Sequence, residues 1–171
     1  KAAVLHALKT PLAIEQVPVP EPGHGDLLIK VTACGVCHSD LHAVDGDWTP
    51  PPVIPLIPGH EVAGRIARIG EGVTGFKVGD HVGVPWMYSS CGTCEFCLGG
   101  METICKQAEA TGYTKPGGYA EYLVAPAAYA LARRYAADAR FSFGAWKFEV
   151  LGGYTSALCL VGVALLMVWE S

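Results

Sequence analysis

Four cysteines within a short stretch, Cys91-x2-Cys94-x2-Cys97-x7-Cys105, constrain this chain more than any other feature. Thiolates at these spacings close a tetrahedral shell around one Zn2+, provided that the backbone between them turns tightly. Gly92, Gly99 and Gly100 stand where those turns are needed. With every ligand position filled by protein, such a site is structural and leaves nothing open for a substrate. An iron-sulfur cluster is the chemical competitor, because it also takes four thiolates. Disulfides are the other use of clustered cysteines. The N-terminal stretch KAAVLHALKTPLAIEQVP has neither the apolar core nor the cleavage site of a secretory leader. The expected compartment is therefore the reducing cytoplasm, where clustered cysteines hold metals more often than they form disulfides.

The residues around this cluster read as strands. All 12 prolines lie at or before Pro126, and most of the 21 glycines lie in the same front part. Between them run short apolar segments: residues 27–31, Val62–Ile69, His81–Val84 and residues 119–124, each next to a Gly or Pro turn. Such spacing predicts a mainly β fold, an antiparallel sheet curled into a barrel or sandwich. At 171 residues, with 51% of them hydrophobic, the chain can bury a core without disulfides. Its net charge of -4 carries no electrostatic footprint for nucleic acid, and no basic run suggests an anionic membrane surface.

The back part differs. Residues 127–139, AAYALARRYAADA, are Ala-rich and predict a helix. From Val150 to Trp169 there are 20 residues without a charge, long and apolar enough for a membrane span. Gly152, Gly153, Tyr154, Thr155 and Ser156 make its first third a poor lipid segment, so a buried element is the preferred reading and a membrane partner is not expected.

A second constellation is split along the chain. CGVCHSDLH begins at Cys34, directly after a predicted strand, and PGHE begins at Pro58, directly before one. Cys37 and His60 supply one thiolate and one imidazole, and an open zinc site needs a third protein ligand plus a place for water or substrate. Asp40 or Glu61 can hydrogen-bond the imidazole and raise its basicity. The plainer reading is a core cysteine and histidine with no metal.

These segments, with IPGHEVAGRIARIGEGVTGFKVGDHVGV and GGYAEYLVAP, resemble the zinc-containing medium-chain alcohol dehydrogenases, and most closely their bacterial and yeast-like tetrameric branch. The resemblance covers residues 1–130 and implies a GroES-like β-barrel catalytic domain, with a structural zinc lobe at 88–106 formed by Cys91, Cys94, Cys97 and Cys105. Residues 131–171 form an atypical apolar tail. The resemblance also implies a catalytic zinc held by Cys37 and His60, with Glu61 close enough to approach it and Asp40 as the partner of a ligand. His38 matches the position that meets the cofactor pyrophosphate. Ser39 matches the hydroxyl that takes the alcohol proton, and His42 the base at the far end of that relay, reached through the cofactor ribose. Trp48 and Trp86 match bulky residues that narrow the alcohol pocket, which favours short primary alcohols such as ethanol. The implied cofactors are two zinc ions per chain, one catalytic and one structural, and NAD. The implied assembly is a homo-oligomer, a tetramer in this branch. Ser39 has a simpler alternative as the cap of a helix starting at Asp40, and Trp48 and Trp86 as ordinary core aromatics. Cys34 matches no ligand position and reads as a small buried residue.

The chain departs from the family in two places. The third catalytic-zinc ligand should be a cysteine near position 147, where Lys147 stands; Cys159, farther along in a similar apolar context, is the candidate replacement. The run of βαβ units that builds a Rossmann cofactor domain is not expected within these 171 residues, so the family's cofactor domain reads as absent from them. Two functions therefore compete. One is a zinc- and NAD-dependent oxidation of a small primary alcohol to its aldehyde, and the reverse. The other is a non-enzymatic zinc-binding GroES-like module, or an inactive fragment lacking the cofactor domain.

Overall fold

The computed structural model describes residues 1–129, 131 and 132. It begins with β1 (Ala2–Val4), β2 (Ala13–Glu15) and β3 (Asp26–Cys34), followed by α1 (His38–Asp45), β4 (Val62–Ile69) and β5 (His81–Val84). Then come β6 (Met87–Ser89), α2 (Glu95–Leu98), a 3-10 turn (Glu102–Ile104), β7 (Glu109–Ala110), β8 (Tyr122–Pro126) and β9 (Leu131–Ala132).

The central sheet has the order β8-β3-β4-β5-β9, with each neighbouring pair antiparallel. Period-two alternation explains β4, where Val62, Gly64 and Ile66 are buried while Ala63 and Arg65 face outward. Strand β3 lies between β8 and β4, and there Leu27, Leu28 and Ile29 are all buried in succession. Leu27, Ile29, Val62, Ile66, Val82, Val84, Leu123 and Ala125 form one core cluster. Each fully buried branched side chain in it contributes about 1.5–3 kcal/mol. Leu5, Ala43, Leu56, Ala110 and Tyr113 form a second, on which the half-buried Trp48 and Trp86 pack.

Register places the functional segments. Cys34 on β3 pairs with Val62 on β4, and the Gly35 N–H donates to the Glu61 carbonyl at 2.9 Å. The loop leaving β3 and the loop entering β4 are therefore neighbours, although some twenty residues separate Cys37 from His60 in the sequence. Strands β4 and β5 have the bounds expected from the sequence, β4 from its alternation and β5 from the Gly79-Asp80 turn before it. Strand β8 begins three residues later than expected, because the backbone just before it is engaged elsewhere. Gly117 N–H donates to Ile57 O at 2.6 Å, Gly118 N–H to Gly59 O at 2.8 Å and Tyr119 N–H to Pro58 O at 3.0 Å.

The alternative reading of Ser39 as a helix cap and the helix over the Ala-rich stretch both differ from the structure. Helix α1 starts at His38 rather than Asp40, and its N-cap is Cys37 rather than Ser39. The Asp40 carboxylate accepts the Cys37 N–H at 2.9 Å, which closes a capping box. The described part of the Ala-rich stretch is not helical. Tyr129 N–H closes a turn onto Pro126 O at 3.1 Å, and β9 then pairs with β5 through Val82↔Ala132 and Gly83↔Leu131. An open sheet edge outweighs the small per-residue helix preference of alanine. The rest of that stretch and the uncharged segment 150–169 lie outside the described residues. Among the described residues, no helix is long and apolar enough to cross a membrane.

Candidate active site and metal centres

The cysteine lobe follows β6. Turns through Gly92 and Gly100, at φ +69° and +73°, fold the chain back so that four sulfurs converge. Cys91 and Cys97 are 3.8 Å apart at sulfur, Cys94 and Cys97 3.5 Å, and Cys105 and Cys91 3.6 Å. A tetrahedral shell with Zn–S bonds of about 2.3 Å needs sulfurs about 3.8 Å apart, so the donor set fits zinc. Electrostatics already favour anionic sulfur at part of this site. The Thr93 and Cys94 N–H groups draw the Cys91 thiol down to about 6, and the Ser90 hydroxyl lowers Cys97. At Cys94 the Cys97 N–H also pulls downward, but burial and the neighbouring thiols win and push it up to about 11. None of the described cysteines is in a disulfide.

The second centre forms where the loops around β3 and β4 meet. The Cys37 sulfur, a His60 ring nitrogen and a Glu61 carboxylate oxygen all lie within 4.8 Å of one another. His60 is buried and Glu61 exposed. Gly35 lies close under Glu61: a Cβ there would stand 2.3 Å from Glu61 Oε2 and 3.1 Å from its Cβ, so a larger residue would displace the carboxylate. The donor set of thiolate, imidazole and carboxylate suits zinc. Cys159, the expected replacement for the third ligand, lies outside the described residues, as does Lys147.

Asp40 organises this centre. It is 5% exposed, and its two oxygens receive four donors. Oδ1 accepts the Gly59 N–H at 3.1 Å and His60 Nδ1 at 3.2 Å; Oδ2 accepts the Cys37 N–H at 2.9 Å and the Tyr119 hydroxyl at 2.8 Å. With Nδ1 held by Asp40, Nε2 of His60 is the nitrogen left to ligate a metal. Burial raises the Tyr119 phenol and the Asp40 carboxylate raises it further, so Tyr119 stays a hydrogen-bond donor.

Rings continue the site from His60 to α1. Trp86 meets His60 edge-on at 4.9 Å and Trp48 at 5.8 Å, and Trp48 lies 5.3 Å from the His42 ring. His42 in turn lies 4.7 Å from the exposed His38. His42 Nδ1 is held by Asp47 Oδ2 at 2.8 Å. Ser39 is half-buried in the first turn of α1, between His38 and Asp40. Cys34 is half-buried, and burial pushes its thiol up to about 11.

Three residues of this neighbourhood went unnoticed in the sequence. Tyr119 stands inside GGYAEY, but nothing local shows that its hydroxyl reaches Asp40. Asp47 follows the C-cap Gly46, a turn that brings it back onto the helix. Tyr113 packs 5.5 Å from Trp48 and 5.8 Å from Trp86, and had no periodic signal at all.

Residues 23–134 match the alcohol dehydrogenase GroES-like domain. The chain is 53% identical over 129 residues to an alcohol dehydrogenase of Geobacillus stearothermophilus, covering 75% of this chain and 38% of that protein. Against an alcohol dehydrogenase of Schizosaccharomyces pombe it is 49% identical over 131 residues, covering 75% and 37%. A crystal structure of a cobalt- and zinc-bound thermostable alcohol dehydrogenase from Pyrobaculum aerophilum superposes with a TM-score of 0.67 at 38% identity, covering 79% of this chain and 42% of that one. The chain thus spans less than half the length of the relatives that it matches. The antiparallel sheet, the cysteine lobe and the sequence identity lead to one assignment: through its GroES-like domain, this chain belongs to the zinc-containing alcohol dehydrogenase family.

Proposed function

We propose that the chain carries the catalytic domain of a zinc- and NAD-dependent alcohol dehydrogenase, which interconverts a small primary alcohol and its aldehyde. The observation that carries this reading is the convergence of Cys37, His60 and Glu61 within 4.8 Å, backed by Asp40 on the far nitrogen of His60. A purely structural centre closes its shell with protein, as the cysteine lobe does, whereas three donors leave room for a fourth position.

In this reading Cys37 and His60 hold the catalytic zinc, Glu61 approaches it, and Cys91, Cys94, Cys97 and Cys105 hold the structural one. When bound, the zinc supplies Lewis acidity toward the alcohol oxygen, and the nicotinamide supplies the hydride acceptor. Ser39 accepts the alcohol proton at its hydroxyl oxygen while giving up its own toward the relay, so its net protonation does not change. His42 returns it to solvent at Nε2, with Asp47 fixing the ring. Trp48 and Trp86 wall the pocket, exclude water and leave space for a short alkyl chain. His38, exposed at the start of α1, meets the cofactor phosphates. The reading divides the chain near residue 130, and takes the active form to be a cytoplasmic homo-oligomer, a tetramer as in the resembling branch.

The test is NADH formation from ethanol by the protein before and after removal of zinc with a chelator. The reading expects turnover that disappears with the metal and returns when zinc is restored. Turnover that survives complete zinc removal would contradict it.

A further inference from the structure

Asp40 is tied to three separate stretches of chain. Helix α1 supplies the Cys37 N–H, the loop before β4 supplies Gly59 N–H and His60 Nδ1, and the segment before β8 supplies the Tyr119 hydroxyl. A carboxylate has about four lone-pair sites, and here all four are occupied. Two of the donors are fixed by backbone and a third belongs to His60 itself. Tyr119 is the only side chain among the four that is neither a neighbour of Asp40 in sequence nor a candidate ligand.

The backbone is shaped to bring Tyr119 there. Its ring lies flush on Gly59, where a Cβ would stand 2.6 Å from Tyr119 Cδ1. Gly59 sits at φ +96°, a conformation that favours glycine. A Cβ at Gly117 would stand 2.2 Å from the Gly59 carbonyl oxygen, so the two segments press against each other at backbone distance. Three backbone hydrogen bonds at 2.6, 2.8 and 3.0 Å clamp residues 117–119 onto 57–59. The phenol therefore meets Asp40 from a rigid support. The Gly35 carbonyl, 3.5 Å from the same hydroxyl, borders the contact.

We propose that Tyr119 is a positioning residue of the Cys37–His60 metal centre: its hydroxyl holds Asp40 Oδ2 in place, and thereby sets the orientation of His60 and the affinity of that centre for a divalent transition metal. This rests on the reading that Cys37 and His60 bind a metal. The effect is transmitted through Asp40, since Tyr119 itself is not among the clustered donors. The four-cysteine lobe has no part in the network and is untouched by it.

The experiment uses Co2+ alone as the probe on the full chain, with the cobalt absorption spectrum and chelator competition read at both centres. Tyr119→Phe keeps the ring on Gly59 and removes only the hydroxyl. The proposal expects binding at the Cys37–His60 centre to weaken about tenfold, as for loss of an outer partner of a metal ligand, with an altered cobalt spectrum there. The thiolate-to-cobalt bands of the lobe should stay as in wild type, which also shows in the same sample that the variant is folded. Tyr113→Phe, which removes a hydroxyl bonded at 2.6 Å to the Pro50 carbonyl, should change neither centre. A second measurement is the rise in thermal stability when cobalt fills the Cys37–His60 centre after the lobe; this increment should shrink in Tyr119→Phe. If Tyr119→Phe leaves both affinity and spectrum at that centre as in wild type, Tyr119 is only a packing residue and the proposal is overturned. If wild type itself takes up cobalt at the lobe alone, the reading beneath the proposal falls with it.

Discussion

Replacing Asp40 by Asn tests the network around His60 with a nearly isosteric change. Only one oxygen of the amide can accept, so its NH2 group must face one of the two donor pairs. On the Oδ2 side it meets the Cys37 N–H and Tyr119, whose hydroxyl can rotate and accept; the Cys37 N–H is then left with no acceptor. On the Oδ1 side it meets the Gly59 N–H and His60. There Gly59 loses its acceptor, and His60 must move its proton to Nε2, which removes the nitrogen that faces a metal. Either way one backbone N–H is orphaned, at about 1–3 kcal/mol, and the remaining bonds lose a charged acceptor. We expect a total of about 3 kcal/mol, a large part of the roughly 5–15 kcal/mol that stabilises an ordinary domain. Urea denaturation in the presence of a chelator isolates this cost from metal binding. Zinc competition on the same variant should show the Cys37–His60 centre weakened by about 10–100-fold. A variant within about 0.5 kcal/mol of wild type, with unchanged zinc affinity, would refute the argument that Asp40 holds the site together.

Three further outcomes follow from the same geometry. In the active enzyme, Ser39→Ala should lower turnover by about 10²–10⁴-fold while zinc content holds, and an unchanged rate would remove Ser39 from the proton path. Trp86→Ala should open the pocket wall and raise kcat/KM for butanol relative to ethanol by about tenfold; an unchanged ratio would leave Trp86 as a core aromatic only. Glu109 is held below its ordinary value of 4.5, first by the Ser89 hydroxyl at 2.7 Å and then by Lys115 at 3.0 Å. A lowered carboxyl stabilises the fold above pH 4.5, and that contribution is lost as pH falls through its folded-state value. Glu109→Gln should therefore cost under about 1 kcal/mol at neutral pH, because both side chains of the pair are 39% exposed, and nothing in strong acid. Equal stability losses at both pH values, measured by urea denaturation, would contradict this.

Local chemistry was legible in the sequence, and contacts between distant segments were not. The cysteine lobe could be read directly because its ligands lie within one short loop and their spacing is itself the geometry. The bounds of β4 followed from period-two alternation against a buried face, and those of β5 from the Gly79-Asp80 turn before it. Cys37 and His60 were legible only as two half-sites, because β3–β4 register joins them and no residue between them records that register. Tyr119 was hidden for the same reason: its partner lies 79 residues away. The start of β8 moved because residues 117–119 are used against 57–59, and the Ala-rich run misled because propensity is weak where a sheet edge offers pairing. Ser39 looked like a cap by residue type, yet the Asp40 side chain closes the capping box on Cys37 instead.

In the proposed reading, one small domain builds two distinct zinc centres, one closed and one open. Zinc per chain, measured by elemental analysis on wild type, Cys94→Ala and His60→Ala, tests it most directly. Two zinc ions are expected in wild type and one in each variant, with the stability loss concentrated in Cys94→Ala. A folded wild type holding a single zinc, retained in His60→Ala, would show that the Cys37–His60 centre is not a metal site.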